Sequence, residues 1–476
     1  MPLNDLPWIQ QLLSDGRAGE LLARLGWLAL SVVALGLILS LGRRIGVALK
    51  LRLWGIPEAL VAGLLGLLLA PEGPLPLLPP QVMRLWADLP LVLLTLVFGS
   101  LLLGKPLPKL KALWRPVSAQ VSLALMLAFG QYVVGGLAVL LVLQPWLGVS
   151  PIMACLIEVA YEGGHGSAAA MGPSYAALGF PGGQDLGLAM ATVGLLSSTL
   201  VGGLVVVLGR RRGWLLSCAE GQAAEPEPQA SAASPSAPTT PNSGAAAWAV
   251  NLALVGVAVA IGVVLLQLLR AATAPLGGTL AVVVEALPVF PLAIIGSLLT
   301  RWWLERSGHS HWTSAAIQSQ VGTLSADLLI TAATAGLNLK LLQADWLPLT
   351  VLALAGLAWN LAVVLLLGPR LLPADWFERA VIEFGQATGV AASGLLLLRM
   401  ADPDDRSDAL PAFSIKQLLL QPFVAGGVVT VVAPLAVASW GLPAWSGFCL
   451  AVVLLAGGGG LLLARLQPPA DGATAP

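Results

Sequence analysis

Apolar runs of membrane-spanning length recur along this 476-residue sequence, beginning with WLALSVVALGLILSLG at 27–42. About twenty apolar residues are what an α-helix needs to cross the roughly 30 Å hydrocarbon core of a bilayer. Hydrophobic residues make up 57% of the chain and charged residues only 10%, whereas about 25% of a soluble domain is charged. A helix satisfies its own backbone groups in lipid, so the expected class is an all-α polytopic membrane protein. Lys plus Arg equals Asp plus Glu at 24 each, a balance that gives no reason to expect a nucleic-acid partner. Cys155, Cys218 and Cys449 have no paired or metal-binding spacing, so neither a disulfide framework nor a zinc site is indicated. Met1–Gly26 lacks the basic start and small-residue cleavage site of a signal peptide, and the first span is expected to be retained.

The expected spans are 26–42, 57–70, 88–104, 117–144 and 185–209, then 247–269, 280–300, 313–335, 346–367, 414–439 and 443–465. Two further stretches, 151–176 and 376–398, are long enough to enter the membrane but are interrupted by Gly and polar groups. Irregular backbone at membrane depth is tolerated only inside protein or beside a wet cavity, so both read as re-entrant hairpins. Between the halves, AEGQAAEPEPQASAASPSAPTTPNSGAAA (219–247) is rich in Pro, Ser and Ala and reads as a disordered linker. The chain therefore divides into a first repeat at 1–213, a linker at 214–246, a second repeat at 247–442, and an extra C-terminal helix and tail at 443–476.

Basic residues collect in cytoplasmic loops and set the orientation. Arg43, Arg44, Lys50 and Arg52 follow the first span, Lys105, Lys109, Lys111 and Arg115 the third, and Arg210, Arg211 and Arg212 the fifth. All three groups share one side if 151–176 dips in and returns, which puts the N-terminus outside and the linker in the cytoplasm. Arg301 and Arg306, then Arg370, Arg379 and Arg406, fall inside on the same count. Hairpin one thus enters from outside and hairpin two from inside, and the extra span returns the C-terminus inside. Matching words support two inverted-topology repeats of about five transmembrane helices: Glu58-Ala59-Leu60 with Glu285-Ala286-Leu287, Ala87-Asp88-Leu89 with Ala326-Asp327-Leu328, EGGHGSAAAMG with EFGQATGVAASG, and VGG (201–203) with AGG (425–427). Inverted repeats with broken helices near the midplane are the architecture of secondary transporters.

Glycine allows a sharp turn and a close approach of ligand to backbone. A half-helix starting at such a turn offers free N–H groups to a carboxylate, and the opposite ends of half-helices offer carbonyl oxygens to a dehydrated cation. Two opposed tips, Gly163–Ser167 and Gln386–Ser393, are the candidate site, with hydroxyls from Ser167, Thr388 and Ser393. Small-residue helix packing alone would want the glycines without Glu162, His165, Gln386 and Thr388. Intramembrane polar groups are functional candidates because burying them is costly. On that ground Glu162, Gln131, Asp327, Asn360 and Gln386 are candidate sodium ligands, Asp327 equally a structural partner of a nearby hydroxyl. His165 reads as a neutral imidazole donating a hydrogen bond to substrate or closing the hairpin; no HExxH supports a metal. Arg399 either clamps a second substrate carboxylate bidentately or anchors the chain at the cytoplasmic surface. Gly457–Gly460 reads as a packing or kink device.

The stretches GGHGSAAAMG (163–172), EFGQATGVAASGLLLLRMADP (383–403) and AWN (358–360) resemble the bacterial sodium–glutamate symporter family. The resemblance extends as a layout over nearly the whole chain. It implies secondary uptake of glutamate with Na+ as coupling ion, in the inner membrane, by a homodimer whose transport core moves like an elevator against a fixed scaffold. Gly163, Gly164, His165, Gly166 and Ser167 match the family's first loop; Thr388, Gly389, Ala391 and Ser393 match the second. The chain departs from the pattern in its Pro/Ser-rich linker and its extra last span. The competing readings are a symporter of another small carboxylate such as aspartate or citrate, a passive channel, and an intramembrane hydrolase. A channel would want a polar stripe instead of two knots, and a hydrolase a nucleophile–base pair that the sequence does not present.

Overall fold

The structure, a computed structural model, describes residues 17–51, 57–104, 114–216, 244–276, 281, 284–285, 287–373, 375–404 and 406–466. The expectations for residues 1–16, Arg52, Lys105, Lys109, Lys111, Cys218, Ala286, linker residues 217–243 and the tail beyond 466 lie outside the described residues. Among the described residues every regular element is helical. In chain order the helices are α1 (Arg17–Ala48), α2 (Glu58–Leu69), α3 (Pro80–Leu101), α4 (Trp114–Ala138), α5 (Leu156–Tyr161), α6 (Gly164–Ala170), α7 (Gly172–Ala177), α8 (Gly183–Arg212), α9 (Ala245–Thr273), α10 (Phe290–Arg306), α11 (Ala315–Ala335), α12 (Leu339–Ala344), α13 (Trp346–Ala362), α14 (Trp376–Ala401), α15 (Ala409–Leu420), α16 (Val428–Trp440) and α17 (Leu442–Leu466).

By length and composition, eight helical stretches among the described residues are apolar enough to cross a membrane: α1, α3, α8, α9, α14 and α17, and α4 and α13 with their continuations to Leu147 and Leu371, although α14 turns back within its length at Gly389–Val390. Leu268 on α9 and Leu454 and Leu455 on α17 stand exposed, an apolar exterior suited to lipid and not to water. Multi-pass insertion in a membrane follows from these helices. Four expected spans take a different form. That at 280–300 is the 17-residue α10, Phe290–Arg306, and that at 313–335 is α11, which is not among the eight apolar spanning helices. The 57–70 span is the 12-residue α2. The 414–439 span is no single helix: α15 ends at Leu420 and α16 begins at Val428. Pro422 cannot extend the α15 ladder, and the chain turns on positive φ at Ala425 (58°) and Gly426 (92°).

The chain forms two compact units. The first comprises α1, α2, residues 80–90 and residues 327–337. Leu35, Ile38, Leu39, Ala59, Ala62, Val82, Trp86, Ala332 and Ala335 form its core. Backbones come close there because the facing residues are small: a Cβ on Gly63 or Gly66 would overlap Thr334 or Ala335. Arg43 forms an ion pair with Asp327 at 2.7 Å.

The second unit holds the remaining helices. Leu103, Leu254, Val255, Ala258, Leu304, Ile317 and Val321 pack α9, α10 and α11 together. Elsewhere in this unit α4 and α13 each continue through a widened π turn, Val139–Leu143 and Val363–Leu367, into a short helix that starts Gln144-Pro145 or Gly368-Pro369. A proline ring clashes with the carbonyl four residues back, and a π turn opens the helix enough to accommodate it. The last helix, α17, lies on α4, where a Cβ on Gly460 would come within 3.0 Å of Ser122 Cβ, so that glycine serves packing.

Candidate functional site

Both knots reverse the chain. Gly385 and Gly394 are nine positions apart, about 13.5 Å along an unbroken helix, yet a Cβ on Gly385 would overlap Gly394 Cα. α14 is therefore two limbs, with Gly389 (φ −152°, ψ 38°) and Val390 (φ 65°, ψ 171°) at the turn. In the first knot Leu156 and Ala168, twelve positions apart, both lie against Gly187 of α8, 3.8 and 3.1 Å from its Cβ position. The reversal there is Glu162–Gly164, with φ of 69° at Gly164. The two turns meet: a Cβ on Gly164 would overlap Val390 Cγ1. The tips expected at Gly163–Ser167 and Gln386–Ser393 are thus brought together.

A broken helix leaves carbonyls without intrahelical donors. At the second tip other helices supply them. Gln131 Nε2 on α4 and Asn360 Nδ2 on α13 both donate to the Ala387 carbonyl, at 2.6 and 2.9 Å. Asn360 also donates to Thr388 Oγ1 at 3.0 Å, and Gln131 to Asn360 Oδ1 at 3.2 Å. Ser198 Oγ on α8 donates to the Gly385 carbonyl and Ser393 Oγ to that of Gly389. Gln131, Asn360, Thr388 and Ser393 therefore sit in one network around tip two. Ala391 starts the second limb and is half-buried.

At the first tip, Thr192 Oγ1 donates to the Leu188 carbonyl, so its oxygen accepts from His165 Nε2 at 3.0 Å. His165 ties the hairpin to α8. Glu162 and Ser167 are buried, and among the described residues Glu162 Oε2, Ser167 Oγ and Gln131 Oε1 have no hydrogen-bond partner. Unengaged buried oxygens at broken helix ends are the donor chemistry a hard cation such as sodium takes.

The remaining candidates have other partners or surroundings. Asp327 belongs to the first unit, where its partner is the Arg43 guanidinium. Arg399 is exposed on the second limb of α14, ten residues and about 15 Å of helix beyond Gly389. Gln386 does face the buried interior, against α15, donating from Nε2 to Gln417 Oε1 at 2.8 Å.

Three ionisable groups central to this region, Glu158, Glu383 and Lys416, are not marked as site residues by the sequence motifs. Glu158, fully buried on α5, accepts from Tyr132 Oη at 2.5 Å, from the Ala425 N–H at 3.1 Å and from Thr430 Oγ1 at 2.9 Å. It clamps hairpin one to the break between α15 and α16. Glu383, at the start of the second knot, forms an ion pair with Lys416 of α15 at 2.8 Å, both side chains almost wholly buried. Gln120 Nε2 donates to the other oxygen of Glu383 at 2.8 Å. The signal was present: Glu158 and Lys416 are charged residues inside apolar stretches, where charge is costly. Ile157-Glu158 stands six residues before Gly164, as Ile382-Glu383 stands six before Gly389.

A family model described as sodium/glutamate symporter matches residues 25–386. No curated protein and no solved structure matches the chain.

Proposed function

Because the chain belongs to the sodium/glutamate symporter family, we propose that it carries glutamate inward with sodium by alternating access, the two hairpins forming the moving core of a homodimer. That it is a membrane transporter with sodium as coupling ion follows from the family and from its apolar helices. The observation that carries the finer reading is the meeting of two chain reversals at Gly164 and Val390, beside buried oxygens that have no donor. The second limb of α14 starts at Ala391, and its first N–H groups suit a substrate carboxylate. Glu162, Ser167 and Gln131 suit the ion, while Asn360 and Thr388 hold the tip in shape. Gly163, Gly166 and Gly389 let ligand approach backbone, and Arg399 is an anchor at the cytoplasmic surface.

The hairpins are re-entrant in this reading and the halves inverted. Support comes from the paired π turns before each hairpin and from the paired Ile-Glu steps within them. The N-terminus lies outside the inner membrane and the linker in the cytoplasm. No reaction chemistry is assigned to any residue.

The test is uptake of radiolabelled glutamate into proteoliposomes containing only this protein, with and without an inward sodium gradient. Accumulation above equilibrium that requires sodium is expected. If unlabelled aspartate or citrate competed better than unlabelled glutamate, the substrate assignment would be wrong while the architecture stood. Sodium-independent equilibration would point to a channel and sink the reading.

A further inference from the structure

The Lys416 ammonium has three N–H donors and meets three oxygens: Glu383 Oε2 at 2.8 Å, Gln417 Oε1 at 3.0 Å and Gln386 Oε1 at 3.2 Å. A fourth side is closed by the face of Phe413, 4.5 Å from ring centroid to nitrogen. An ammonium can only donate, so both amides must turn oxygen toward it. Their nitrogens are committed the other way: Gln386 Nε2 donates to Gln417, Gln417 Nε2 to Gln421 Oε1 at 3.0 Å, and Gln421 Nε2 to the Ala425 carbonyl at 3.3 Å. The relay ends on the positive-φ turn that Glu158 holds from the other side.

One carboxylate and two neutral amide oxygens around a compact monovalent charge are the kind of oxygen donors that a hard cation takes. A buried ammonium needs an acceptor for each of its N–H groups, and the two amide oxygens take those that Glu383 leaves. We propose that Lys416 is a built-in substitute for a bound alkali cation: its ammonium fills a monovalent-cation site made by Glu383, Gln386 and Gln417, and so sets how many inorganic cations each chain takes up. Sodium coupled to transport binds elsewhere, and Glu383 is withheld from it. The inference goes beyond the symport reading and does not depend on which substrate is carried.

The experiment is equilibrium binding of radiolabelled sodium to the purified full-length protein, paired with thermal unfolding in sodium, potassium and choline chloride. Lys416→Ala is expected to bind one more alkali cation per chain than the unaltered protein. Its unfolding midpoint should rise with sodium or potassium but not with choline. The double variant Glu383→Gln/Lys416→Ala lacks the charge that holds the ion and should bind no extra cation. Equal cation counts in Lys416→Ala and the unaltered protein would overturn the proposal. So would a Lys416→Ala protein that cannot be recovered folded in alkali salt, because the inferred site accepts an inorganic ion in place of the ammonium. Glutamate uptake by the unaltered protein tests the symport reading separately.

Discussion

Glu158 is fully buried and engaged, because three donors from α4, the α15–α16 break and α16 converge on its two oxygens. A buried hydrogen bond contributes about 0.5–1.5 kcal/mol net. Tyr132→Phe should therefore lower stability by roughly that amount, seen as a drop in the detergent unfolding midpoint. Glu158→Ala, which strands all three donors, should cost more than Tyr132→Phe in the same assay. Val390 sits at φ 65° and ψ 171°, a region used essentially by glycine and costing of order 1–3 kcal/mol for other residues. Gly164→Ala should strongly reduce sodium-driven uptake without blocking insertion, because its Cβ collides with Val390 Cγ1. Adding Val390→Gly removes the obstructing side chain and should restore part of the rate. Failure of any restoration would mean that the tips do not meet in the working protein. Glu162, His165 and Ser167 were legible in the sequence from the oddity of polar residues among glycines. Glu158 and Lys416 carried the same signal singly, without glycine to mark them.

At the scale of elements, the break between α15 and α16 is held by its neighbours. Gly426, at φ 92°, faces Ser167 Oγ, which a Cβ would approach to 2.5 Å. Gly426→Ala should thus disturb tip one from a distance in sequence, reducing uptake while the fold survives, as judged by an unfolding midpoint that falls only slightly. The α4–α13 crossing is tighter: a Cβ on Gly130 would overlap the Trp359 ring. Trp359 Nε1 donates to the Met126 carbonyl at 3.1 Å, so the ring is not free to swing away. Gly130→Ala should cost about 1–3 kcal/mol by overpacking, read by thermal unfolding. Helix positions followed from apolar length, since lipid imposes that length directly. The break at 421–427 did not, because an apolar run of spanning length looks the same whether or not a turn interrupts it.

For the whole molecule, the family match and the apolar helices agree on a sodium-coupled transporter. Trimming residues 222–243 should leave sodium-driven glutamate uptake within about twofold of the unaltered protein, since the Pro, Ser and Ala that dominate the segment supply no core. A loss of uptake would give the linker a role in coupling the halves. Cysteines placed at Arg210 and at Leu147 should label from opposite faces of intact cells with an impermeant thiol reagent, the first only after permeabilisation, if the linker is cytoplasmic.

The all-helical membrane class and the position of the two knots were set by sequence alone. A bilayer demands apolar length and internal hydrogen bonding, and departures from that demand are visible one residue at a time. The partners were set only by tertiary structure. Glu158 finds its donors 26, 267 and 272 residues away, and Lys416 meets Glu383 across two separate helices. Nothing local in the chain distinguishes a buried charge that is clamped by donors from one that is paired or left open for an ion. That distinction depends on which groups the fold brings within hydrogen-bond reach.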